Sequence, residues 1–180
     1  MDQSKIMRGV QLILEGIGED ADREGLKETP RRVAEMCGEI LEGIEIRPEL
    51  QPGFSEEISN DVIILKDIPF YSVCEHHLLP FFGRVHLAYI PEHNRVSGFS
   101  AITRVIDIFS RRLQIQERLT QQIADTVMAS LQPAGVAVVV EAQQLCVSMR
   151  GGRKDSVRTV TQAVRGEIPS RIMQLLNGIA

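Results

Sequence analysis

The stretch Ser72-Val-Cys-Glu-His-His-Leu-Leu-Pro80 places a thiol, a carboxylate and two imidazoles in four consecutive residues, Cys74 to His77. Thiolates and neutral imidazoles are zinc ligands, and a catalytic zinc keeps three protein ligands and one open position. Cys146, far along the chain, would complete a Cys2His set. Spacing alone leaves Cys74 able to pair with His77 in a helical turn or with His76 in a strand. A lone Cys-x-x-His pair also arises by chance, with the cysteine serving as a small hydrophobic residue.

Length and composition narrow the class of protein around this stretch. The 180 residues suffice for one domain with a helical appendage. Lys and Arg total 20 against 24 Asp and Glu, and the net charge of −4 favours neither nucleic acid nor an anionic membrane as partner. Three widely spaced cysteines argue against a disulfide framework. With no signal peptide and no long apolar run, we expect a soluble, cytoplasmic protein.

The region before the motif reads as helical. Apolar residues at helical spacing predict a first helix from about Ile6 to Leu14, and Thr29-Pro30 predicts a capped start to a second. Arg31 and Arg32 in its first turn oppose the helix dipole and so favour an anionic partner, although a solvated face explains them equally well. Residues 45–60 carry prolines and acids and read as a surface connection.

The region after residue 60 alternates strands and helices. Val62 to Leu65 predicts a buried strand, and Ile68-Pro69 a break. The other predicted elements are strands at 83–90, 136–140 and 159–165, and helices capped by Ser100, from Glu117 to about Leu131, and from Ser170 to Leu176. His86 and His93 are assigned to the surface. The pattern predicts an α+β domain at 61–180, with an antiparallel sheet and two helices on one face, behind helices and a linker at 1–60.

Four separated blocks of this sequence resemble the GTP cyclohydrolase I family, whose fold is the tunnelling fold, or T-fold. The blocks are Ser72 to Pro80, Val96 to Ser100, Arg111 to Ile123 and Glu141 to Gly151. The resemblance implies an antiparallel T-fold sheet and a homo-oligomer, a stacked-ring decamer, with sites between subunits. It also implies the first step of folate and tetrahydrobiopterin synthesis.

By position, the resemblance implies a role for each site residue. Zinc (Zn²⁺) would be held by Cys74, His77 and Cys146, with His76 as the acid/base. The implied substrate contacts are Glu117 with Gln116 beside it for the guanine, and Ser100, Arg104, Arg150 and Arg32 for the triphosphate. From the residues themselves, the basic turn at 150–154 indicates phosphate binding no more strongly than plain solubility.

The implied reaction converts GTP to 7,8-dihydroneopterin triphosphate and formate. Zinc supplies the Lewis acid for hydrolysis at guanine C8, an acid protonates the departing nitrogen, and a second hydrolysis releases formate.

Three positions depart from the family pattern. Ala101 stands where the family has lysine, Gln144 where it has a catalytic histidine, and Gln162 where it has serine. Glutamine does not titrate near neutral pH. Two alternatives therefore stand beside the full reaction. One is a divergent paralogue that stops at the formamidopyrimidine nucleotide or uses another guanine nucleotide. The other is a zinc-holding T-fold subunit of reduced activity that binds a purine or a partner.

Overall fold

The computed structural model describes residues 1–54 and 61–176. The chain divides into two compact units, Met1–Glu42 and Gly43–Ala180. The surface connection expected over 45–60 is described up to residue 54, and within it Leu50 is buried in the core of the second unit. Among the described residues, no helix is long and apolar enough to cross a membrane.

The first unit contains two helices, α1 (Gln3–Gly16) and α2 (Thr29–Ile40). The Asp2 carboxylate caps α1 by accepting a hydrogen bond from the Lys5 backbone N–H at 3.0 Å. Pro30 lies in the first turn of α2, as predicted. The predicted cap is wrong in one detail, because the N-cap position belongs to Glu28, which makes no side-chain capping hydrogen bond.

The second unit is an α+β domain, which confirms the predicted fold class. Its elements are β1 (Gly53–Phe54), β2 (Ile63–Cys74), β3 (Pro80–Ile90), β4 (Arg95–Val96), α3 (Phe99–Ser110), β5 (Leu113–Gln114), α4 (Gln116–Leu131), β6 (Gly135–Gln144), α5 (Leu145–Ser148), β7 (Thr159–Gly166) and α6 (Ser170–Leu176). The main sheet has the order β5-β2-β3-β6-β7 and is antiparallel except where β5 runs parallel to the end of β2. The strands β1 and β4 form a separate pair.

Strand β6 shows how the sheet divides the core between its two faces. Val136, Val138 and Val140 join the cluster formed with α3 and α4, while Ala137 and Val139 join a second cluster with α6. This alternation is the period of two that a strand buried on both faces requires. Two helices on one face are therefore confirmed, and the C-terminal helix covers part of the other face.

The break predicted at Ile68-Pro69 is wrong, because β2 continues through it. The β2–β3 register shifts between Leu65 and Ile68, and Asp67 has a φ of 60°. Such a β-bulge absorbs one extra residue and lets the strand resume. Pro69 then pairs with Arg84, and β2 reaches the motif at Cys74 without interruption.

Candidate metal and substrate site

A tight turn at the end of β2 carries the first two candidate ligands. The Cys74 N–H donates to the Leu79 carbonyl at 2.9 Å, and the Leu78 N–H donates to the Cys74 carbonyl at 2.9 Å. Leu78 adopts a left-handed φ of 53°, which turns the chain back towards β3. The turn therefore returns the His77 ring to the thiol that begins it, with 3.9 Å between Cys74 Sγ and His77 Nδ1.

The third candidate ligand comes from the short helix α5. Strand β6 ends at Gln144, and the following helical turn carries Cys146. The ligand atoms of Cys74, His77 and Cys146 lie within 4.8 Å of one another. Cys74 is buried, Cys146 is half-buried and His77 is exposed. The group is therefore anchored in the protein on its sulfur side and open to solvent at the imidazole.

The geometry and chemistry of this group fit a zinc ion. A tetrahedral zinc with bonds of about 2.3 Å to sulfur and about 2.0–2.1 Å to nitrogen separates its ligand atoms by about 3.5–3.8 Å. The observed separations need a contraction of less than about 1.5 Å to reach that range. Without metal, burial and the neighbouring Cys74 sulfur raise the pKa of the Cys146 thiol. A cation that binds both sulfurs as thiolates removes that repulsion.

His76 lies beside the metal group without belonging to it. Its Nδ1 is 4.0 Å from Cys74 Sγ, its Nε2 is 3.8 Å from a Glu75 carboxylate oxygen, and its side chain is 63% exposed. The spacing of the motif left His76 and His77 as equal partners for Cys74. Only His77 also approaches Cys146 closely enough to complete the group. His76 is thus an accessible imidazole next to a candidate metal.

The sequence analysis missed an ion pair that ties the metal-bearing turn to α4. Arg118 donates to both oxygens of the Glu75 carboxylate, at 2.5 and 3.1 Å. This hydrogen-bonded guanidinium holds the pKa of Glu75 below its usual value. The Glu75 backbone N–H also donates to the Gln114 carbonyl at 3.0 Å. Nothing in the sequence signals the pair, because residues 75 and 118 are far apart and each resembles an ordinary surface charge.

Gln144 and Gln116 form a neutral network at the start of α4. The Gln144 amide donates to Gln116 Oε1 at 2.8 Å, and the Gln116 amide donates to the Val140 and Thr159 carbonyls at 2.9 Å each. Gln116 is only 3% exposed. Gln144 is the last residue of β6 and Cys146 lies in α5, so the two side chains do not share one side of a strand.

The other residues of the second unit that the resemblance assigns to the substrate lie at the surface. Glu117 is exposed in the first turn of α4, where the helix dipole stabilises its negative charge. Ser100 and Arg104 are exposed on α3, and Arg150 is exposed just after α5. The prediction that Ser100 caps α3 is wrong, because the helix begins at Phe99 and its N-cap residue is Gly98.

Arg32 is exposed on α2 of the first unit, and its assignment to the triphosphate stays a prediction. Its neighbour Arg31 is paired within the helix, donating to the carboxylates of Glu28 at 2.9 Å and Glu35 at 2.6 Å. The two adjacent arginines therefore differ, because the charge of Arg31 is compensated by carboxylates beside it at the start of α2.

His86 is not the surface histidine that the alternation in β3 predicted. It is only 9% exposed, and its Nδ1 accepts a hydrogen bond from the Asp67 N–H in the β2 bulge at 3.1 Å. Burial lowers the pKa of His86; Lys66 and Arg84 lower it further, and Asp67 and Glu141 oppose them. No sequence pattern indicates the bulge, so the hydrogen-bond partner of the His86 imidazole was not predictable.

Two thiols and an imidazole that converge within reach of one ion, with a second imidazole beside them, define a candidate zinc-enzyme site of the Cys2His type. Comparison with known proteins identifies the class more closely. The GTP cyclohydrolase I family model matches residues 6–175, and the chain belongs to that family. Its function is therefore GTP cyclohydrolase I-like, and it is a member of a family of hydrolases.

Individual relatives agree with the family match. The chain is 56% identical to GTP cyclohydrolase 1 of Pelotomaculum thermopropionicum over 167 residues, covering 92% of this chain and 88% of the relative. It is 53% identical to GTP cyclohydrolase 1 of Clostridioides difficile over 168 residues, with 92% and 88% covered. It is 48% identical to GTP cyclohydrolase 1 of Caldanaerobacter subterraneus over 185 residues, with 98% of each chain covered.

Proposed function

We propose that this protein is a zinc-dependent enzyme that converts GTP to 7,8-dihydroneopterin triphosphate and formate. The observation that carries the proposal is the Cys74, His77 and Cys146 group with the accessible His76 beside it, in a chain of the GTP cyclohydrolase I family. A purely structural metal site needs no exposed imidazole next to its ligands. The arrangement therefore supports a catalytic enzyme over a binding subunit of reduced activity.

Each residue of the metal turn has a distinct task in this proposal. Cys74, His77 and Cys146 would hold zinc, which when bound supplies the Lewis acidity that makes water a nucleophile near neutral pH. His76 stands outside the ligand set and is free to rotate towards solvent, so it would protonate the imidazole nitrogen that departs from guanine C8.

Charged and polar side chains at the surface would recognise the substrate. The Glu117 carboxylate, in the first turn of α4, would accept hydrogen bonds from the guanine N1–H and 2-amino group. Adenine offers an acceptor at N1 and no 2-amino group, which leaves that carboxylate without a donor. Ser100, Arg104, Arg150 and Arg32 would bind the triphosphate, and Gln116 would support the guanine contact from its buried position.

The reaction consumes two waters in separate hydrolyses. The first water adds to C8 and breaks one C8–N bond of the imidazole ring, which leaves a formamide on the pyrimidine. The second breaks the formamide C–N bond and releases formate. Ribose opening and ring closure to the pterin follow, and these steps need proton transfer near the sugar more than they need a metal.

The Gln144 network favours a second candidate function, in which the product is the formamidopyrimidine nucleotide. Gln144 cannot donate and recover a proton, and its amide is already engaged by Gln116. The first hydrolysis depends on the metal group and His76 and would survive this substitution. The second would slow, so that the ring-opened intermediate accumulates or leaves as product.

One experiment separates these candidates. Zinc-loaded protein is incubated with GTP, and all products, including formate, are quantified by mass spectrometry. The Cys146→Ser variant serves as control, and we expect it to lose most of its zinc and all ring opening. Absence of any C8 hydrolysis by the zinc-loaded native protein would reject the enzyme proposal. Full zinc retention by Cys146→Ser would reject the ligand assignment.

We also propose a homo-oligomer, a decamer, that works in the cytoplasm. In the described part of the chain, β7 is an edge strand of the main sheet, and its Val160 and Val164 side chains are 58% and 40% exposed. An unpaired edge with apolar side chains is suited to pairing with another copy. Light scattering of the purified protein tests the assembly, and a monomer at micromolar concentration would contradict it.

A further inference from the structure

The metal-bearing turn contains more potential ligands than a catalytic site can accept. Besides Cys74 and His77 it carries His76 and Glu75, and carboxylate oxygens bind zinc as imidazoles do. Three protein ligands leave a position for water, whereas four make a closed, structural site. A catalytic role for this group therefore requires that the Glu75 carboxylate stay away from the metal.

The structure shows what restrains that carboxylate. Both oxygens of Glu75 are occupied by the Arg118 guanidinium, and the carboxylate lies outside the group of ligand atoms. One Glu75 oxygen is 3.8 Å from Nε2 of His76, and Nδ1 of the same ring is 4.0 Å from Cys74 Sγ, so the His76 imidazole contacts both the carboxylate and the metal group. The two-point contact fixes the orientation of the carboxylate as well as its position.

We propose that Arg118 keeps the fourth position of the metal open by holding the Glu75 carboxylate away from it. The inference rests on the proposed function, because it assumes that Cys74, His77 and Cys146 hold the metal. Arg118 is a positioning residue in this account, and it acts on the metal only through Glu75.

Removing the guanidinium should convert an open site into a closed one. In Arg118→Ala the released carboxylate would bind the metal, so the metal content stays at the native level while GTP turnover falls about tenfold or more, as expected when the water position is filled. Arg118→Ala combined with Glu75→Gln should recover most of that loss, because an amide does not compete for zinc. A merely structural role for the ion pair predicts no recovery in the double variant.

Cobalt spectroscopy provides a readout that is independent of turnover. Each protein is loaded with Co²⁺, and its visible absorption is followed during titration with azide, which binds only where a ligand position is open. We expect azide to change the spectrum of the native protein and of the double variant and to leave that of Arg118→Ala unchanged. Arg165→Ala is the matched control, because it breaks the 2.7 Å ion pair between Arg165 of β7 and Asp125 of α4 and leaves Glu75 untouched.

The outcomes separate failure of this inference from failure of the proposed function. If the native protein binds no Co²⁺, or ignores azide, the open Cys2His site is wrong and the inference falls with it. If native protein and Arg118→Ala respond alike, the site is open and only the role of Arg118 is overturned. Should Arg118→Ala fail to fold, Arg118→Met takes its place, because it keeps an apolar stem and removes the guanidinium. An azide response equal to that of the native protein would then overturn the role of Arg118.

Discussion

Replacing Gln144 by histidine tests how the neutral network at the end of β6 limits the reaction. The Gln116 amide nitrogen is committed to the Val140 and Thr159 carbonyls, so its oxygen faces residue 144 as an acceptor. A neutral imidazole can donate one N–H to that oxygen and keep its other nitrogen for proton transfer. The existing network would therefore orient the introduced histidine.

The expected change in the rate of formate release follows from the proton transfer that histidine adds, and the expected change in stability follows from the hydrogen bond that it keeps. General acid/base assistance typically contributes about 10² to 10⁴ in rate. Because the hydrogen bond to Gln116 is kept in Gln144→His, the cost in folding stability should stay below about 1 kcal/mol. We expect formate release to rise by about 10² or more, with C8 hydrolysis nearly unchanged, since His76 and the metal group are untouched.

The assay measures both hydrolyses in one time course. GTP, the formamidopyrimidine nucleotide, formate and dihydroneopterin triphosphate are quantified by mass spectrometry after rapid quenching. Gln143→His is the matched control, because the neighbouring side chain donates to the Asp155 carbonyl and takes no part in the network with Gln116. A native protein that forms dihydroneopterin triphosphate at ordinary enzyme rates with no trapped intermediate would refute the reasoning. So would an equal gain from Gln143→His.

Three further predictions concern guanine, phosphate and pH. Glu117→Ala should reduce the preference for GTP over ATP by at least about tenfold in equilibrium binding, a change of about 1.4 kcal/mol, and equal binding of both nucleotides by the native protein would refute the assignment. Ala101→Lys should lower the KM for GTP, because it restores a cation worth about 1–3 kcal/mol to triphosphate binding. The lysine stem would lie along the core that Ala101 contacts. Turnover of GDP and guanosine by the native protein at the same kcat/KM as GTP would contradict a triphosphate substrate. Burial lowers the pKa of His86, so the folded state resists its protonation, and the associated stability is complete above about pH 6.5 and is lost as the pH falls below that value. Urea unfolding at several pH values should therefore show a smaller loss on acidification in His86→Gln, which keeps an acceptor for the Asp67 N–H, and identical pH profiles would contradict this account.

The sequence predicted the parts of the site that are local and chemically distinctive. Cys74 and His77 lie in one short motif, and a turn that returns on itself brings them together. Cys146 was assigned by resemblance, since no periodicity links residues 74 and 146. The Glu75–Arg118 pair was not predictable, because two single charges in separate elements carry no pattern. Its existence depends on β5 lying parallel to the end of β2, which brings the start of α4 to the turn.

The two errors in β2 and β3 have one physical cause. A strand pattern assumes an unbroken period of two, so Ile68-Pro69 predicted a break and His86 predicted an exposed face. The bulge at Asp67 breaks that period. It absorbs one extra residue in β2, which lets the strand continue past Pro69, and it directs the Asp67 backbone N–H at the His86 ring. Strand periodicity located β3, β6, β7 and the first part of β2, and it could not show where one strand adjusts to the other.

The departure at Gln144 can be understood from where β6 ends. Because the chain leaves the sheet at Gln144 and enters α5, residue 144 contacts Gln116 on α4, whereas Cys146 turns towards Cys74 and His77. Cys146 and the network around residue 144 are thus held by different elements, although Gln144 and Cys146 are only two positions apart in sequence. A substitution at residue 144 can alter proton transfer without altering the ligand group. That separation explains how a chain of this family can carry Gln144 with its Cys2His group intact, and it makes zinc content and formate release independent quantities in every variant of this position.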